Sequence, residues 1–168
     1  MVVAPHPLAA EAGLTVLRQG GSAVDAGIAV QLVLGLVEPQ ASGIGGGAFL
    51  VHYSAANRNV QTYDGRETAP AAVKGNAAPP PAGSGASVGV PGLLRAVELA
   101  HRTHGTLQWA KLFEPAIALA EAGFPVSPRL HRQLAARRDL VRLEPTRSYF
   151  HRPDGRPKPV GTPLVNAP

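Results

Sequence analysis

The apolar positions near the start of the chain repeat with a helical period. Residues 7–19 place apolar side chains on one face and polar side chains on another, which predicts a helix. Ser22 and Asp25 have the spacing of a capping box, so a second helix should begin there and end before Pro39. Residues 26–37 are apolar nearly all round, and we expect such a helix to be buried between layers.

Shorter apolar runs predict strands on either side of these helices. The run at 2–4 predicts a short strand. Residues 48–53 and 59–63 predict two more strands, and the short connection at 55–58 predicts that they form a hairpin. The glycine-rich segment 41–47 precedes this hairpin.

The second half of the chain is predicted to be mainly helical. One helix should begin near Pro91 and close at Gly105, because proline suits a first helical turn. A second should begin near Leu107 and break at Pro115. Ser127 and the proline after it predict the start of an arginine-rich helix that runs to about residue 142. Residues 143–168 are predicted to be loop.

Composition and charge narrow the function classes. The chain has 168 residues, 45% of them hydrophobic, and this fits a globular domain with its own core. It contains no cysteine, which excludes disulfides, thiol catalysis and cysteine-ligated zinc. The longest apolar stretch, 26–37, is too short to span a bilayer. Residues 75–86 are rich in Gly, Ala and Pro and predict a low-complexity surface loop.

The formal net charge of +5 is concentrated in the second half of the chain. Residues 91–168 hold twelve of the sixteen Lys and Arg residues. Such a basic half could attract polyanions such as nucleic acid. We favour the alternative that it is the solvated face of helices, because acidic residues are mixed with the arginines and few aromatic residues stand among them to stack on bases.

The chain lacks most of the common sequence patterns for catalysis and metal binding. It has no Gly-x-Ser-x-Gly elbow. His101 and His104 have a spacing that could share a metal, but no third ligand is in view, so we predict no metal site and a solvated helix end. The glycine segment 41–47 matches neither a nucleotide-binding loop nor a dinucleotide fingerprint. We interpret it as a tight backbone passage in which side chains would clash.

Arg66 is the strongest candidate for binding chemistry. It follows a predicted strand, in a turn set by Asp64 and Gly65, with Glu67 beside it and Pro70 stiffening the exit. An arginine held in this way can meet a carboxylate with two parallel hydrogen bonds. The alternative is an ordinary surface ion pair with Asp64 or Glu67. The residues alone leave both interpretations open.

Eight short motifs follow one another in the chain, and their order and spacing are more specific than any one of them. They are VVAPHPLA at 2–9, GGSAVDA at 20–26, EPQ at 38–40, GIGGG at 43–47, DGRETAP at 64–70, VGVPG at 88–92, FEPAIALA at 113–120 and GFPV at 123–126. Together they resemble the large subunit of γ-glutamyltransferases, also called γ-glutamyltranspeptidases or glutathione hydrolases. The resemblance covers nearly all of the chain and identifies residues 1–168 as the N-terminal portion of that subunit.

The resemblance implies a fold and a reaction. Members of the family are N-terminal-nucleophile hydrolases, with a four-layer α/β/β/α sandwich of which this chain would be an incomplete α/β piece. The strands at 2–4, 48–53 and 59–63 would then form an incomplete sheet, with the helix at 23–37 packed against it. The precursor cuts itself before a threonine. That new N-terminal threonine attacks the γ-glutamyl amide of glutathione, and the acyl group passes to water or an amino acid.

The resemblance also assigns roles to particular residues. Arg66 would bind the α-carboxylate of the γ-glutamyl group, with Glu67 in support. The catalytic residues are expected in a small subunit outside this chain, because Thr106 and Thr162 do not lie in the family's cleavage context. The chain is therefore predicted to be inactive alone, to need that subunit as its partner and a γ-glutamyl compound such as glutathione as its substrate, and to use no cofactor.

Two expectations remain open at this point. The family suggests a periplasmic or extracellular location, although the residues after Met1 are not expected to be a signal peptide. The alternative function is a stand-alone basic module that binds polyanions through residues 129–142, and this function predicts binding that weakens with salt.

Overall fold

The computed structural model describes residues 1–71, 73, 78, 80–81 and 84–166. The chain divides into two compact units. The first combines Met1–Gly43 with Leu107–Pro168, and the second is Ile44–Thr106. The predicted low-complexity loop at 75–86 lies partly outside the described residues. Of that segment the structure describes the 3₁₀ turn Gly85–Ser87.

The first unit is mainly helical. Its elements are α1 Pro7–Arg18, α2 Ala23–Val37, the 3₁₀ turn Trp109–Leu112, α4 Glu114–Ala122, β3 Phe124–Pro125, α5 Pro128–Ala136, the 3₁₀ turn Arg138–Arg142, α6 Thr146–Phe150 and β4 Pro163–Leu164. The helix between α2 and α4, α3 Leu93–His104, lies in the second unit. β3 and β4 pair antiparallel. The two predicted helices at the start of the chain are confirmed.

Local signals at the helix ends explain why α2 begins where it does. The Ser22 hydroxyl accepts a hydrogen bond from the Asp25 N–H at 3.1 Å, and the Asp25 carboxylate accepts one from the Ser22 N–H at 2.9 Å. This reciprocal pair satisfies two amides that the first helical turn leaves without partners. The capping box predicted from the sequence is therefore confirmed.

The core of the first unit forms around α2, which is buried on most sides as its apolar sequence predicts. α2 packs against α1 and α4. The core cluster also takes residues from the later part of the chain, and its members include Val33, Val37, Phe124, Leu130 and Leu164. Burial of such side chains contributes about 1.5–3 kcal/mol each relative to leaving them exposed.

The second unit is a hairpin followed by one helix. β1 Phe49–Ser54 and β2 Asn59–Asp64 pair antiparallel, and α3 Leu93–His104 contacts both strands. The predicted hairpin is confirmed. Because the hairpin and α2 belong to different units, the predicted packing of α2 against this sheet stays a prediction. α3 begins two residues after Pro91, with Gly92 as its N-cap, and it ends at Gly105 as predicted.

Three sequence predictions about elements are wrong. Residues 2–4 form no strand, since they find no partner strand among the described residues and a strand needs a ladder. The arginine-rich helix α5 ends at Ala136 instead of near 142, and a 3₁₀ turn follows it. Residues 143–168 are not all loop, because α6 and β4 lie within them. The predicted break at Pro115 is confirmed, since this proline lies in the first turn of α4.

Candidate functional site

The turn after β2 is held by backbone contacts on both sides of Gly65. The Gly65 N–H donates to the Ala48 carbonyl at 2.9 Å, and the Ala48 N–H donates to the Gly65 carbonyl at 3.2 Å. One step further, the Arg66 N–H donates to Asp64 Oδ1 at 2.9 Å. The Asp64 carboxylate therefore fixes the backbone of the turn, as Asp side chains often do in turns.

Arg66 and Glu67 lie together at the end of this turn. Arg66 Nη1 is 3.3 Å from Glu67 Oε1, and the Arg66 side chain is 64% exposed. Glu67 Oε2 is buried and has no hydrogen-bond partner among the described residues. The guanidinium carries five N–H donors, so the contact with Glu67 leaves most of them available to a carboxylate from solution.

The structure contains one of the two ion pairs that the sequence allows for Arg66. An ion pair with Glu67 is present, whereas Asp64 bonds to the backbone of Arg66. An exposed pair of this kind contributes about 0–1 kcal/mol to stability. The pair can also orient the Arg66 guanidinium, because the Glu67 carboxylate that it contacts is partly buried. The roles of Arg66 and Glu67 in substrate binding stay predictions.

The glycine segment and the segment before α3 back this turn. The Gly46 carbonyl accepts hydrogen bonds from the N–H groups of Gly92 and Leu93, at 3.2 and 3.1 Å. The Val90 N–H donates to the Thr68 carbonyl at 2.8 Å. The tight passage that the sequence predicts for the glycines is confirmed at Gly47, where an added Cβ would lie 2.6 Å from the Glu67 backbone nitrogen. It is wrong at Gly43 and Gly45, where an added Cβ would meet no atom within 4 Å.

A pair of stacked histidines lies elsewhere in the second unit. The rings of His52 and His104 are 3.9 Å apart between centroids, and Tyr63 meets His104 edge-on at 6.2 Å. Burial, and then the neighbouring His52, lower the pKa of His104 below its ordinary value. The sequence missed this pair because no local pattern links residues so far apart along the chain.

The expectation that His104 and His101 lie on a solvated helix end is wrong, since both side chains are half-buried. Among the residues described, no group of three or more His, Asp or Glu side chains could hold a metal ion. None of the helices found there is long and apolar enough to cross a membrane.

The arginines of residues 129–142 lie in α5 and in the 3₁₀ turn after it, with Arg137 at the junction of the two. Arg129 lies 3.2 Å from the buried Glu38 carboxylate, and Arg137 pairs with Asp139 at 2.7 Å. Asp139 has its pKa lowered to about 2, chiefly by its hydrogen bond from Arg137. These pairs reduce the charge that the segment offers to a polyanion. That the chain has no nucleic-acid partner stays a prediction.

A family model described as gamma-glutamyltranspeptidase matches residues 9–168, nearly the whole chain. The chain belongs to the γ-glutamyltranspeptidase family. The resemblance carried by the eight motifs is therefore confirmed.

Curated relatives of this γ-glutamyltranspeptidase family chain are considerably longer. Scoloptoxin SSD14 of Scolopendra dehaani is 49% identical over 142 residues, which cover 82% of this chain and 24% of the toxin. The glutathione hydrolase proenzyme of Bacillus subtilis (strain 168) is 37% identical over 175 residues, which cover 98% of this chain and 30% of the proenzyme. The chain thus spans about a quarter to a third of the length of these relatives.

A solved structure of the family shares the fold. The crystal structure of Helicobacter pylori gamma-glutamyltranspeptidase matches 99% of this chain and 50% of its own, with a TM-score of 0.90 and 33% sequence identity. The predicted fold class is confirmed, because the chain is a mixed α/β piece that matches half of an N-terminal-nucleophile hydrolase of this family.

Proposed function

We propose that this chain supplies the substrate-carboxylate site of an enzyme that hydrolyses glutathione and transfers its γ-glutamyl group to water or amino acids. Membership of the γ-glutamyltranspeptidase family and relatives named glutathione hydrolase support the reaction class. The observation that carries the proposal for this chain is the exposed guanidinium of Arg66, oriented by Glu67 at 3.3 Å on a turn fixed by backbone hydrogen bonds.

The chemistry of the substrate fits this guanidinium. The α-carboxylate of a γ-glutamyl compound is ionised near neutral pH. A planar guanidinium can pair with it through two parallel hydrogen bonds, whereas a lysine ammonium offers a point charge. Glu67 holds Nη1 from one side, so fewer orientations of Arg66 are lost when the substrate binds.

The covalent steps are assigned to a partner segment. In the proposed reaction an N-terminal threonine hydroxyl attacks the γ-carbonyl carbon, its own α-amino group takes the proton, and the amine of the peptide leaves. The acyl group then passes to water or to an amino acid, and the threonine is restored. This chain would bind and orient the glutamyl end without contributing a reacting group, so alone it would not turn over substrate. A cofactor is not needed for these steps.

The test is steady-state kinetics of Arg66 variants in the enzyme completed by the small subunit. Removing one partner of a desolvated charge pair costs about 2–5 kcal/mol. Arg66→Ala should therefore lower kcat/KM by roughly 30-fold to several thousand-fold, at about 1.4 kcal/mol per tenfold. If the pair acts equally in the ground and transition states, most of the loss should appear in KM. Arg66→Lys should keep the charge and still lose much of the binding.

Arg58 provides a matched control for this experiment. It is an exposed arginine in the connection of the same hairpin, so Arg58→Ala removes an equal charge from the same unit. We expect the kinetics of Arg58→Ala to stay close to those of the wild type. Wild-type kcat/KM in Arg66→Ala would mean that the carboxylate is bound elsewhere, and the proposal would be abandoned.

A further inference from the structure

Glycines of the second unit crowd the turn that carries Arg66. A Cβ added at Gly92 would lie 2.5 Å from the Gly65 carbonyl oxygen, and one added at Gly65 would lie 2.9 Å from the Gly92 carbonyl oxygen. Real Cβ atoms essentially never approach other heavy atoms this closely. The backbones of the two segments therefore touch where a side chain would separate them.

Gly47 and Gly89 enclose the Glu67 side chain in particular. A Cβ at Gly47 would collide with Glu67 Oε2, and it would lie 2.6 Å from the Glu67 nitrogen and 2.7 Å from the Gly65 carbonyl oxygen. A Cβ at Gly89 would lie 2.9 Å from Glu67 Cγ and 3.0 Å from Glu67 Cβ. The slot that holds the Glu67 carboxylate exists because these two positions have no side chain.

The need for glycine at these two positions is steric. Neither Gly47 nor Gly89 has φ in the left-handed region that favours glycine, unlike Gly20 and Gly123 in the other unit. Their backbone conformation alone does not require glycine. What excludes other residues is the close approach of Glu67, the residue whose Oε1 lies 3.3 Å from Arg66 Nη1.

We propose that Gly47 and Gly89 are positioning residues for substrate binding, which act through Glu67 to set the direction of the Arg66 guanidinium. This inference rests on the proposed function of Arg66. A methyl group at either position pushes the Glu67 carboxylate out of its slot, and the guanidinium loses the contact that orients it. A misplacement of about 1 Å can cost on the order of 100-fold in rate, so the effect should be measurable.

The quantity to be measured is a ratio of two kcat/KM values, which does not depend on how much of the enzyme is unfolded. The completed enzyme is assayed with a γ-glutamyl anilide and with the same anilide whose α-carboxylate is replaced by a carboxamide. The ratio of the two kcat/KM values reports recognition of the carboxylate. Because both values scale with the same concentration of active enzyme, loss of folded protein cancels from the ratio.

Gly45 is the matched control, since it lies in the same glycine segment and an added Cβ there would meet no atom within 4 Å. Gly45→Ala should keep the wild-type ratio. Gly47→Ala and Gly89→Ala should each lower the ratio by up to about 100-fold. The loss should be smaller than in Arg66→Ala, because the guanidinium is misdirected but still present.

A double substitution tests whether Glu67 carries the effect. In a Glu67→Gly background the Cγ and Cβ atoms of residue 67 that a Gly89 methyl group would meet are both gone, so Gly89→Ala should lower the ratio little further. Gly47→Ala should cost less in this background than in the wild type, because its contact with the Glu67 carboxylate is gone. It should still lower the ratio, because its methyl group meets the Glu67 nitrogen and the Gly65 oxygen. Equal losses from Gly89→Ala in both backgrounds would overturn action through Glu67.

The outcomes separate this inference from the proposed function. If Arg66→Ala keeps the wild-type ratio, the proposed function fails. If the ratio falls in Arg66→Ala but keeps its wild-type value in Gly47→Ala and Gly89→Ala, the proposed function stands and the positioning role is overturned. A loss in Gly45→Ala equal to that in Gly47→Ala would also overturn it, because the effect would then belong to the whole segment.

Discussion

The stacked rings of His52 and His104 form a contact in the second unit whose contribution to stability should depend on pH. His52 Nδ1 and His104 Nε2 are buried, and neither has a hydrogen-bond partner among the described residues. Tyr63 adds a ring edge and no charge that could neutralise a proton. Burial is the first cause that lowers the pKa of His104, and the nearby His52 is the second.

The pH dependence of stability follows from this shift. Since the pKa of His104 is lower in the folded chain than its ordinary value of 6.5, the unfolded chain binds the proton more readily. The stability contributed by neutral His104 is present above that value and is lost as pH falls below it. Thermal unfolding should therefore begin at a lower temperature at about pH 5 than at about pH 7.5.

A substitution isolates His104 in this experiment. His104→Phe keeps a ring against His52 and removes one titrating group. It should make the unfolding temperature depend less on pH between these two conditions. If the fall in stability on acidification is as large in His104→Phe as in the wild type, the histidine stack is not its source.

At the scale of elements, the start of α2 connects distant parts of the chain. Asp25 is fully buried, and its Oδ2 accepts hydrogen bonds from the Ser22 N–H and from the Leu107 N–H at 3.2 Å. The capping box is therefore also a tertiary contact. The Ser22 hydroxyl holds Asp25 in this position. Loss of that hydroxyl should therefore disturb both the cap of α2 and the contact of Asp25 with Leu107.

Ser22→Ala tests the strength of this cap. Loss of an N-cap hydroxyl costs about 1 kcal/mol, which corresponds to roughly 2–4 °C in unfolding temperature for a chain of this size. Ser22→Thr keeps the hydroxyl and should retain most of the stability. Thermal unfolding followed by circular dichroism measures both variants. An unchanged unfolding temperature in Ser22→Ala would show that the cap contributes nothing.

Elements with local signals could be predicted from the sequence, and elements that depend on distant partners could not. α1 and α2 carry caps and apolar periodicity in their own residues, and the hairpin joins strands that are close in sequence. β3 and β4 are two residues each and pair across a separation of about forty residues, so neither has a pattern of its own.

The same distinction applies to the candidate site. The DGRETAP motif pointed to Arg66 and Glu67 because both lie in one short turn. The contacts of Gly89 with Glu67 were not predictable, since the segment at 88–92 reaches the turn only through tertiary folding. The glycine segment at 41–47 predicted a tight passage but not which side chain it would enclose.

At the scale of the whole molecule, one face of β1 is an exposed apolar surface. Phe49, Val51 and Tyr53 form an apolar strip on this face, with exposed fractions of 68%, 69% and 59%. Exposed apolar surface next to an open strand edge favours self-association.

The isolated chain should therefore self-associate, and the apolar strip should be the cause. Replacing Phe49 and Val51 together by Thr lowers the apolar area and keeps residues that favour strands. The double variant should stay monomeric at higher concentration, measured by size-exclusion chromatography with light scattering. Val88→Thr changes an exposed valine outside the strip and should not help. A stable wild-type monomer would contradict this prediction.

The first unit is interrupted by the second, and this has a consequence for synthesis on the ribosome. Val33 is made early, yet its core neighbours include Phe124 and Leu164, which emerge only after all of Ile44–Thr106. At 5–20 residues per second, roughly 60 intervening residues take on the order of 3–12 s. During that interval α2 can pack against α1, but the later part of its core has not been made. A nascent chain stalled before residue 107 should therefore bind chaperones more strongly than one released after residue 164.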